Sequence, residues 1–284
     1  MSKTLRLLMP QWQGGNNPPY AFGARLLHWL APEKGDALEE EVPVRPFDGK
    51  PLEAENGVNG RSELLEQTKR TMEIIRRHEP DRIIVFGGDC LVSQAPFAYL
   101  AEKYGEKLGI LWLDAHPDIS TPAMHCNEHA MVLGNLMGGG DPAFAALVPV
   151  HVMPEKVMYG GIHDETPEEE KVLAELPVRK ASPQELKNDS SPILRWIEEE
   201  SIEKLAIHLD LDVLDPALFR SLLLANPEGC SIDAARGEMT FGQIAGIIKD
   251  AASAASVAGF AVAEHLPWDA INLKSFLEEL PVWE

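Results

Sequence analysis

Three residues that could bind a metal ion follow one apolar segment at alternating positions. The segment at 110–113 runs directly into Asp114, His116 and Asp118. Side chains two positions apart on an extended backbone point the same way, so the three converge if the strand direction continues. Two carboxylates and an imidazole held together favour a bound cation. A polar loop after a buried strand is the alternative, and a second cluster of the same kind would decide between them.

A second cluster follows another apolar segment later in the chain. Asp210 and Asp212 stand two positions apart at the end of the segment 205–209. The carboxyl ends of parallel strands lie along one edge of a sheet, where ligands bind, so the two clusters are predicted to meet there. Four carboxylates and a histidine suit a pair of divalent ions such as Mn²⁺.

The elements that must position these residues alternate between strands and helices. Strands are predicted at 5–9, 41–47, 82–86, 110–114, 156–160, 178–180, 205–209 and 259–263. Helices are predicted at 21–30, 61–78, 91–104, 128–137, 168–176, 240–257 and 270–280, with another inside 182–200. Pro43 and Pro46 indicate that the second strand lies at an edge. The pattern predicts one domain over 1–284, a three-layer α/β/α fold with an eight-stranded, mostly parallel sheet.

Composition narrows the class of protein. The 284 residues are 45% hydrophobic and 25% charged, as in ordinary globular proteins. A net charge of −20 disfavours nucleic acid and anionic membranes as partners and favours cationic ligands. Three cysteines without a CxxC pair exclude a disulfide framework. The N-terminus lacks the pattern of a signal peptide and no segment has the length of a membrane span, so we expect a cytoplasmic protein.

The motifs resemble those of the ureohydrolase family, which includes arginases and agmatinases. The family motifs GGDH, DAHxD and DxDxxDP correspond here to residues 87–90, 114–118 and 210–216, in the same order. The resemblance covers nearly the whole chain. It implies an arginase/deacetylase-like α/β/α fold, hydrolysis of a C–N bond in a linear guanidino or amidino compound, and a homo-oligomer, either trimer or hexamer.

The resemblance also implies a site for two divalent ions, with Mn²⁺ favoured. Asp114 and Asp210 would bridge the ions, Asp118 would complete the shell of the first ion, and His116 and Asp212 that of the second. Such a pair lowers the pKa of a shared water, so that hydroxide attacks the guanidinium or amidine carbon.

Cys90 departs from the family, because it replaces a histidine that ligates the first ion. A thiolate is softer than imidazole and opens the site to Zn²⁺, Fe²⁺, Co²⁺ or Ni²⁺. Three outcomes stay open: Cys90 ligates, it remains a thiol beside a weakly held ion, or that position is empty. A mononuclear hydrolase using Asp114, His116 and Asp210, as in zinc deacetylases of this fold, is one alternative. A catalytically impaired homologue with a binding role is another.

The resemblance assigns further catalytic roles. Glu264 would pair with the guanidinium, and Asp118 would orient the hydroxide. The leaving amine needs a proton, and His129 fits the family's proton shuttle better than its competitor His125. No motif accounts for the other candidate histidines, which are expected to pack or to face solvent: His151, His163, His208 and His265.

Besides Glu264, substrate contacts are predicted at three positions. Ser120 and Asn127 stand near the family's polar groups for an α-carboxylate. Glu169 matches an acid of the arginase segment RDxDxGE, but Thr166 replaces the acid that helps to hold the α-amino group. The arginine-specific set is therefore incomplete, and L-arginine, agmatine, guanidino acids, N-hydroxyarginine and formimino compounds all remain candidates.

Overall fold

Ten strands are present in the part of the chain that the computed structural model describes, residues 2–163, 165–230 and 234–282. In chain order they are β1 Thr4–Met9, β2 Leu38–Glu41, β3 Ala54–Glu55, β4 Val58–Asn59, β5 Arg82–Gly87, β6 Leu108–Leu113, β7 Val157–Gly160, β8 Arg179–Ala181, β9 Lys204–Asp210 and β10 Ser256–Ala263. Strands β3 and β4 form a small antiparallel hairpin. The other eight form one sheet in the order β2-β1-β5-β10-β9-β6-β7-β8.

Every pair of neighbouring strands in this sheet is parallel. The α-helices that flank it are α1 Pro19–Leu30, α2 Arg61–His78, α3 Gln94–Tyr104, α4 Val132–Met137, α5 Pro142–Ala145, α6 Pro167–Ala174, α7 Ser191–Glu199, α8 Phe241–Ala254 and α9 Trp268–Glu278. The predicted three-layer α/β/α fold is therefore confirmed. None of the helices in the described ranges combines the length and apolarity needed to cross a membrane.

Two hydrophobic clusters cover the two faces of the sheet. Helices α2, α3 and α4 pack their apolar side chains into one cluster, which includes Ile75, Phe97 and Leu133. Helices α1, α7 and α8 contribute to the other, which includes Trp196 and Ile247. Burial of these apolar surfaces is the main driving force that holds both helix layers on the sheet.

The second strand ends earlier than predicted. Strand β2 covers Leu38–Glu41 rather than 41–47, although it does lie at the sheet edge. Val42 still donates a backbone hydrogen bond to Leu8 O at 2.9 Å. Pro43 has no N–H to donate, so the ladder stops there.

Two predicted helices begin with a 3₁₀ turn, and both turns reach the site. Residues Cys90–Ser93 form the first turn, ahead of α3, and Glu128–Met131 form the second, ahead of α4. Asp89 caps the first turn by accepting a hydrogen bond from the Leu91 backbone N–H at 3.1 Å. Gly88 allows the chain to pass close to Gln11, because a Cβ there would lie 1.7 Å from the Gln11 carbonyl oxygen.

Candidate metal centre

Four adjacent central strands deliver the predicted site residues to one edge of the sheet. In sheet order β5, β10, β9 and β6 are neighbours, and at their carboxyl ends lie Cys90, Glu264, Asp210 and Asp114. These residues line a cavity of about 1130 Å³, except Asp114, which is buried beneath it beside His116. The parallel arrangement therefore brings together side chains from distant parts of the sequence.

Asp114, His116 and Asp212 form one half of the centre, which we call the imidazole half. His116 Nδ1 lies 3.1 Å from Asp212 Oδ2 and 3.5 Å from Asp114 Oδ1. One potential ligand atom from each of the three residues lies within 4.8 Å of the others. Two carboxylates and an imidazole at this spacing can serve a single divalent ion.

Cys90, Asp114, His208 and Asp210 form the other half, which we call the thiol half. Cys90 Sγ lies 2.8 Å from Asp210 Oδ2, and His208 Nε2 lies 3.9 Å from Asp114 Oδ2. One potential ligand atom from each of these four residues also lies within 4.8 Å of the others. All four side chains are buried.

Asp114 belongs to both halves, and Asp210 of the thiol half is linked to Asp212 of the imidazole half by a hydrogen bond. Asp114 Oδ2 accepts a hydrogen bond from Trp112 Nε1 at 3.0 Å, whereas its Oδ1 accepts one from the backbone N–H of His116 at 2.7 Å. Asp210 Oδ2 faces the thiol, and its Oδ1 accepts a hydrogen bond from the Asp212 backbone N–H at 2.7 Å. This division of oxygens suits the bridging role that the family resemblance gave to both aspartates.

The local turns differ from the expected continuation of the strands. Strand β6 ends at Leu113, so Asp114 and His116 do not converge by strand alternation. Instead, the Asp114 side chain accepts a hydrogen bond from the backbone N–H of His116, two residues further along the chain, which forms an Asx turn. The Asp210 side chain forms the same turn with the backbone N–H of Asp212. The predicted juxtaposition is observed, but a turn produces it.

Several ligand-type atoms of the centre have no hydrogen-bond partner within the described ranges, although they are buried. They are His116 Nε2, Asp118 Oδ2, His208 Nε2 and Asp212 Oδ1. A buried polar atom without a partner is costly, and such atoms here surround a group of four carboxylates. The residues therefore fit divalent cations, which would satisfy oxygen, nitrogen and sulfur donors together.

The pKa values of the acids reflect the same shortage of positive charge. Burial, followed by repulsion from neighbouring carboxylates, raises the pKa of Asp118 and Asp210 well above the usual range. Burial opposes ionisation of Asp212 as well, but the nearby His116 holds its pKa below the usual value. Burial and the Asp210 carboxylate raise the pKa of the Cys90 thiol. A bound cation acts in the opposite sense and favours the ionised ligands.

Two non-glycine residues at the centre adopt left-handed backbone conformations. Asp118 has a φ of 48° and Glu264 a φ of 64°. Such conformations are uncommon for these residue types and concentrate at functional sites. Asp118 is buried, yet in the described ranges its carboxylate falls outside the three groups of side chains with metal-ligand spacing.

Glu264 and His129 lie together beside the thiol half. His129 Nδ1 is 3.1 Å from Glu264 Oε1, and Cys90 Sγ is 3.7 Å from the same oxygen. Burial lowers the pKa of His129 to about 3 and raises that of Glu264 well above its usual value. His125 is exposed, with its ring centroid 5.9 Å from that of His129. Of the two histidine candidates, His129 is therefore the one in contact with Glu264.

The predicted substrate contacts line the same cavity. Ser120 is buried, whereas Asn127 is half-buried and accepts a hydrogen bond from Asn59 Nδ2 at 2.8 Å. Glu169 is half-buried, and its Oε2 accepts hydrogen bonds from the backbone and hydroxyl of Thr166 in the capping box of α6. Thr166, at the position to which the resemblance gives an acid in arginases, therefore caps α6 together with Glu169.

His208 is a residue of the thiol half to which no motif pointed. It was grouped with histidines that pack or face solvent, and its ring does stack on Trp112, with centroids 3.7 Å apart. Its Nε2, however, points toward Asp114. The available signal was its position two residues before Asp210 on the same strand, which puts both side chains on one face. Burial lowers the pKa of His208 to about 3, so the ring is neutral.

The fold and the acid-rich centre define a class of protein that the comparisons identify. A model of the arginase family matches residues 34–264, and the chain belongs to this family. The resemblance stated from the three motifs is confirmed.

Known proteins of the family are related to this chain at low identity. An arginase of Entamoeba histolytica is 25% identical over 168 residues, which are 56% of this chain and 57% of that protein. The arginase structure from Bacillus caldovelox superposes with a TM-score of 0.79 at 18% identity, covering 94% of this chain and 92% of that one. The formimidoylglutamase structure from Bacillus subtilis superposes with a TM-score of 0.69 at 15% identity, covering 94% and 80%. The sequence match thus spans little more than half of the curated relative, and the structural likenesses concern the fold.

Proposed function

We propose that this chain is a metal-dependent hydrolase that cleaves a C–N bond in a linear guanidino or amidino compound. The observation that carries the proposal is the buried centre at the carboxyl edge, where unpartnered His116, Asp118 and Asp212 atoms surround the site beneath a cavity. Family membership supports the same reading. The centre would hold two divalent cations, with Mn²⁺ expected from the resemblance and Zn²⁺, Fe²⁺, Co²⁺ or Ni²⁺ favoured by the thiol.

The two halves of the centre would divide the ligands between the cations. Asp114 and Asp210 would contribute one oxygen to each half, His116 and Asp212 would complete the imidazole half, and Cys90 the thiol half. When bound, such cations supply Lewis acidity and bring the pKa of water toward neutrality.

Three side chains would serve the reacting groups. Glu264 offers a carboxylate to a planar guanidinium, which two parallel hydrogen bonds can orient. A guanidinium there would also favour ionisation of this buried acid. His129 lies 3.1 Å from Glu264 and would deliver a proton to the leaving nitrogen. Asp118 would accept a hydrogen bond from the attacking nucleophile through its buried Oδ2, which has no partner in the described ranges.

The substrate is proposed from the cavity and from the names of the relatives. Ser120, Asn127 and Glu169 line the cavity and would bind the remainder of the substrate. The relatives include arginases and a formimidoylglutamase, so the candidate substrates are guanidino and formimino compounds. A net charge of −20 favours cationic members of this set.

Release of the primary amine tests the proposal. The full chain is stripped with a chelator, reloaded with Mn²⁺, Zn²⁺ or Co²⁺, and incubated with L-arginine, agmatine, guanidino acids, N-hydroxyarginine and formimidoyl amino acids. We expect amine release from at least one compound and its loss in Asp212→Asn, which retains side-chain size but removes a metal-type carboxylate. Absence of turnover with every metal and substrate would contradict the proposal.

A mononuclear hydrolase is the second candidate, and the compact imidazole half favours it. This half alone offers Asp114, His116 and Asp212 at metal-ligand spacing. Asp212 stands here in place of the Asp210 expected for a mononuclear set. One ion per chain at saturation, together with turnover, would favour this candidate over the dinuclear one.

Assembly and compartment are also proposed. The family resemblance implies a homo-trimer or hexamer, and exposed apolar side chains at Trp29, Leu273 and Phe276 provide surfaces that association could cover. Light scattering of the purified chain measures this state. All three cysteines are free, which suits a reducing compartment such as the cytoplasm.

A further inference from the structure

We propose that His208 is a metal ligand and supplies to the thiol half the imidazole that this half loses through Cys90. The inference rests on the proposed function, because it assigns a ligand to the cation site on which that function depends. His208 lies on β9, outside the three motifs that identified the other ligands.

The placement of Nε2 is the first observation. The His208 side chain is fully buried, and its Nε2 has no hydrogen-bond partner in the described ranges. The nearest carboxylate oxygen, Asp114 Oδ2, is 3.9 Å away, which is too far for a hydrogen bond. One ligand atom each of Cys90, Asp114 and Asp210 lies within 4.8 Å of a ring nitrogen of His208 and of one another. A cation among them would satisfy an atom that is otherwise buried without a partner.

The restraint on the ring is the second observation. Trp112 stacks on the His208 ring at a centroid distance of 3.7 Å and an interplanar angle of 12°. Ser93 Oγ lies 2.7 Å from Nδ1, the other ring nitrogen. A metal-bound histidine usually donates its second ring N–H to such a partner, which fixes both ring orientation and tautomer. Ser93 belongs to the same 3₁₀ turn as Cys90, so one turn positions two donors of the thiol half.

A histidine that only fills the core would be expected to have both ring nitrogens paired. In His208, Nδ1 is paired with Ser93 and Nε2 points toward Asp114, which is the arrangement expected of a metal ligand. Sulfur, nitrogen and carboxylate oxygen donors together favour Zn²⁺, Co²⁺ or Fe²⁺ over Mn²⁺ in the thiol half.

Titration of the stripped full chain with Co²⁺ tests the assignment. The ion in the thiol half is recognised by its sulfur-to-cobalt charge-transfer absorption, and the affinity is measured by competition with a chelator. His208→Asn retains an amide that can face Ser93 but removes the atom directed at Asp114. We expect this variant to weaken the thiol-half ion by more than about 100-fold, beyond the usual effect of an outer partner. The matched control, His151→Asn, alters an exposed histidine that contacts the Ala145 carbonyl and should leave both affinities unchanged.

Ser93→Ala provides a second test that leaves the imidazole in place. We expect it to weaken the same ion by about 10- to 100-fold, as loss of an outer partner does. If circular dichroism shows that His208→Asn does not fold, the Ser93→Ala result decides. Unchanged Co²⁺ affinity and absorption in the folded variants would overturn the role of His208 and leave the proposed hydrolase standing. If the unsubstituted chain binds neither Co²⁺ nor Mn²⁺, the proposed function itself fails.

Discussion

Buried acids in this molecule are satisfied in two opposite ways. Asp141 forms the internally paired group with Arg61, which donates two hydrogen bonds to it, each at 2.7 Å. Glu128 accepts one hydrogen bond from Asn135 at 2.8 Å, and its Oε2 has no partner in the described ranges. The metal-type group, which contains Asp114, Asp118, Asp210 and Asp212, includes no lysine or arginine ion pair among the described residues.

The pKa values follow this difference. Burial would raise the pKa of Asp141, but Arg61 brings it below the usual value. In the metal-type group burial is reinforced by neighbouring carboxylates, and the pKa of Asp118 and Asp210 rises. The protein thus provides its own cation, Arg61, for Asp141. Among the described residues it provides no lysine or arginine for the metal-type group, where we propose that metal ions bind.

The largest effect is expected from Asp210→Asn, which removes a carboxylate of the thiol half that we propose as a ligand of both ions. We expect loss of both ions and a fall in activity of about 10³-fold or more, since such cations supply several kcal/mol of catalysis. The metal-free variant should be at least as stable as the unsubstituted chain, because repulsion among buried acids decreases. Elemental analysis, amine release and thermal unfolding measure the three effects. If the variant keeps both ions, the metal-type group does not hold them through Asp210, and the proposed difference between the two acid groups fails.

Arg61→Ala should produce the converse result. Removal of the cation leaves Asp141 buried and unpaired, which costs about 3–5 kcal/mol in unfolding free energy. Metal content should not change. The control on the same helix is Arg70→Ala, whose exposed ion pair with Glu66 at 3.7 Å is worth less than about 1 kcal/mol. Urea unfolding of both variants provides the comparison, and equal losses in the two would show that Arg61 has no special role.

Cys90→His is expected to alter the choice of metal. Replacement of the thiol by an imidazole should raise the affinity for Mn²⁺ relative to Zn²⁺ by about tenfold or more, because imidazole is the harder ligand. Activity with Mn²⁺ should be preserved or raised. Competition titrations with the two ions measure the ratio. An unchanged ratio would place Cys90 outside the coordination shell.

The remaining prediction concerns the pH dependence of stability through Glu128. Burial raises its pKa to about 8, so the folded chain retains a proton that the unfolded chain loses near pH 4.5. Stability should therefore fall as pH rises from about 4.5 to 8, by at most about 1.4 kcal/mol per pH unit from this group. Glu128→Gln preserves the acceptor for Asn135 and should remove this contribution. The two proteins should be similar in stability near pH 5, and the variant should be more stable at pH 8. If the unsubstituted chain and Glu128→Gln lose the same stability between pH 5 and pH 8, Glu128 is not the group responsible for the pH dependence.

The sequence allowed prediction of the fold because strands buried on both faces are continuous apolar segments that alternate with amphipathic helices. The expectation that Asp114 and His116 would meet Asp212 was also confirmed by the geometry, since strand ends in a parallel sheet share one edge. The Asx turns that bring them together were not foreseen. The spacing of residues in the sequence does not show where the backbone leaves the extended conformation, as the positive φ of Asp118 shows that it does there.

His208 shows a different limit of sequence reasoning. Its position two residues before Asp210 was visible, but its significance depends on Ser93 and Trp112, which reach it from other strands and turns. No local pattern links these residues. Likewise, the pairing of Arg61 with Asp141 across 80 positions is a property of the packed helices.

Equilibrium binding of metal to the stripped full chain, followed by elemental analysis, tests the central claim most directly. We predict two divalent ions per chain, with loss of both in Asp210→Asn and retention of both in Arg61→Ala. A chain that binds no Mn²⁺, Zn²⁺ or Co²⁺ after chelation and dialysis would contradict the claim that the unpaired acid group exists to hold cations.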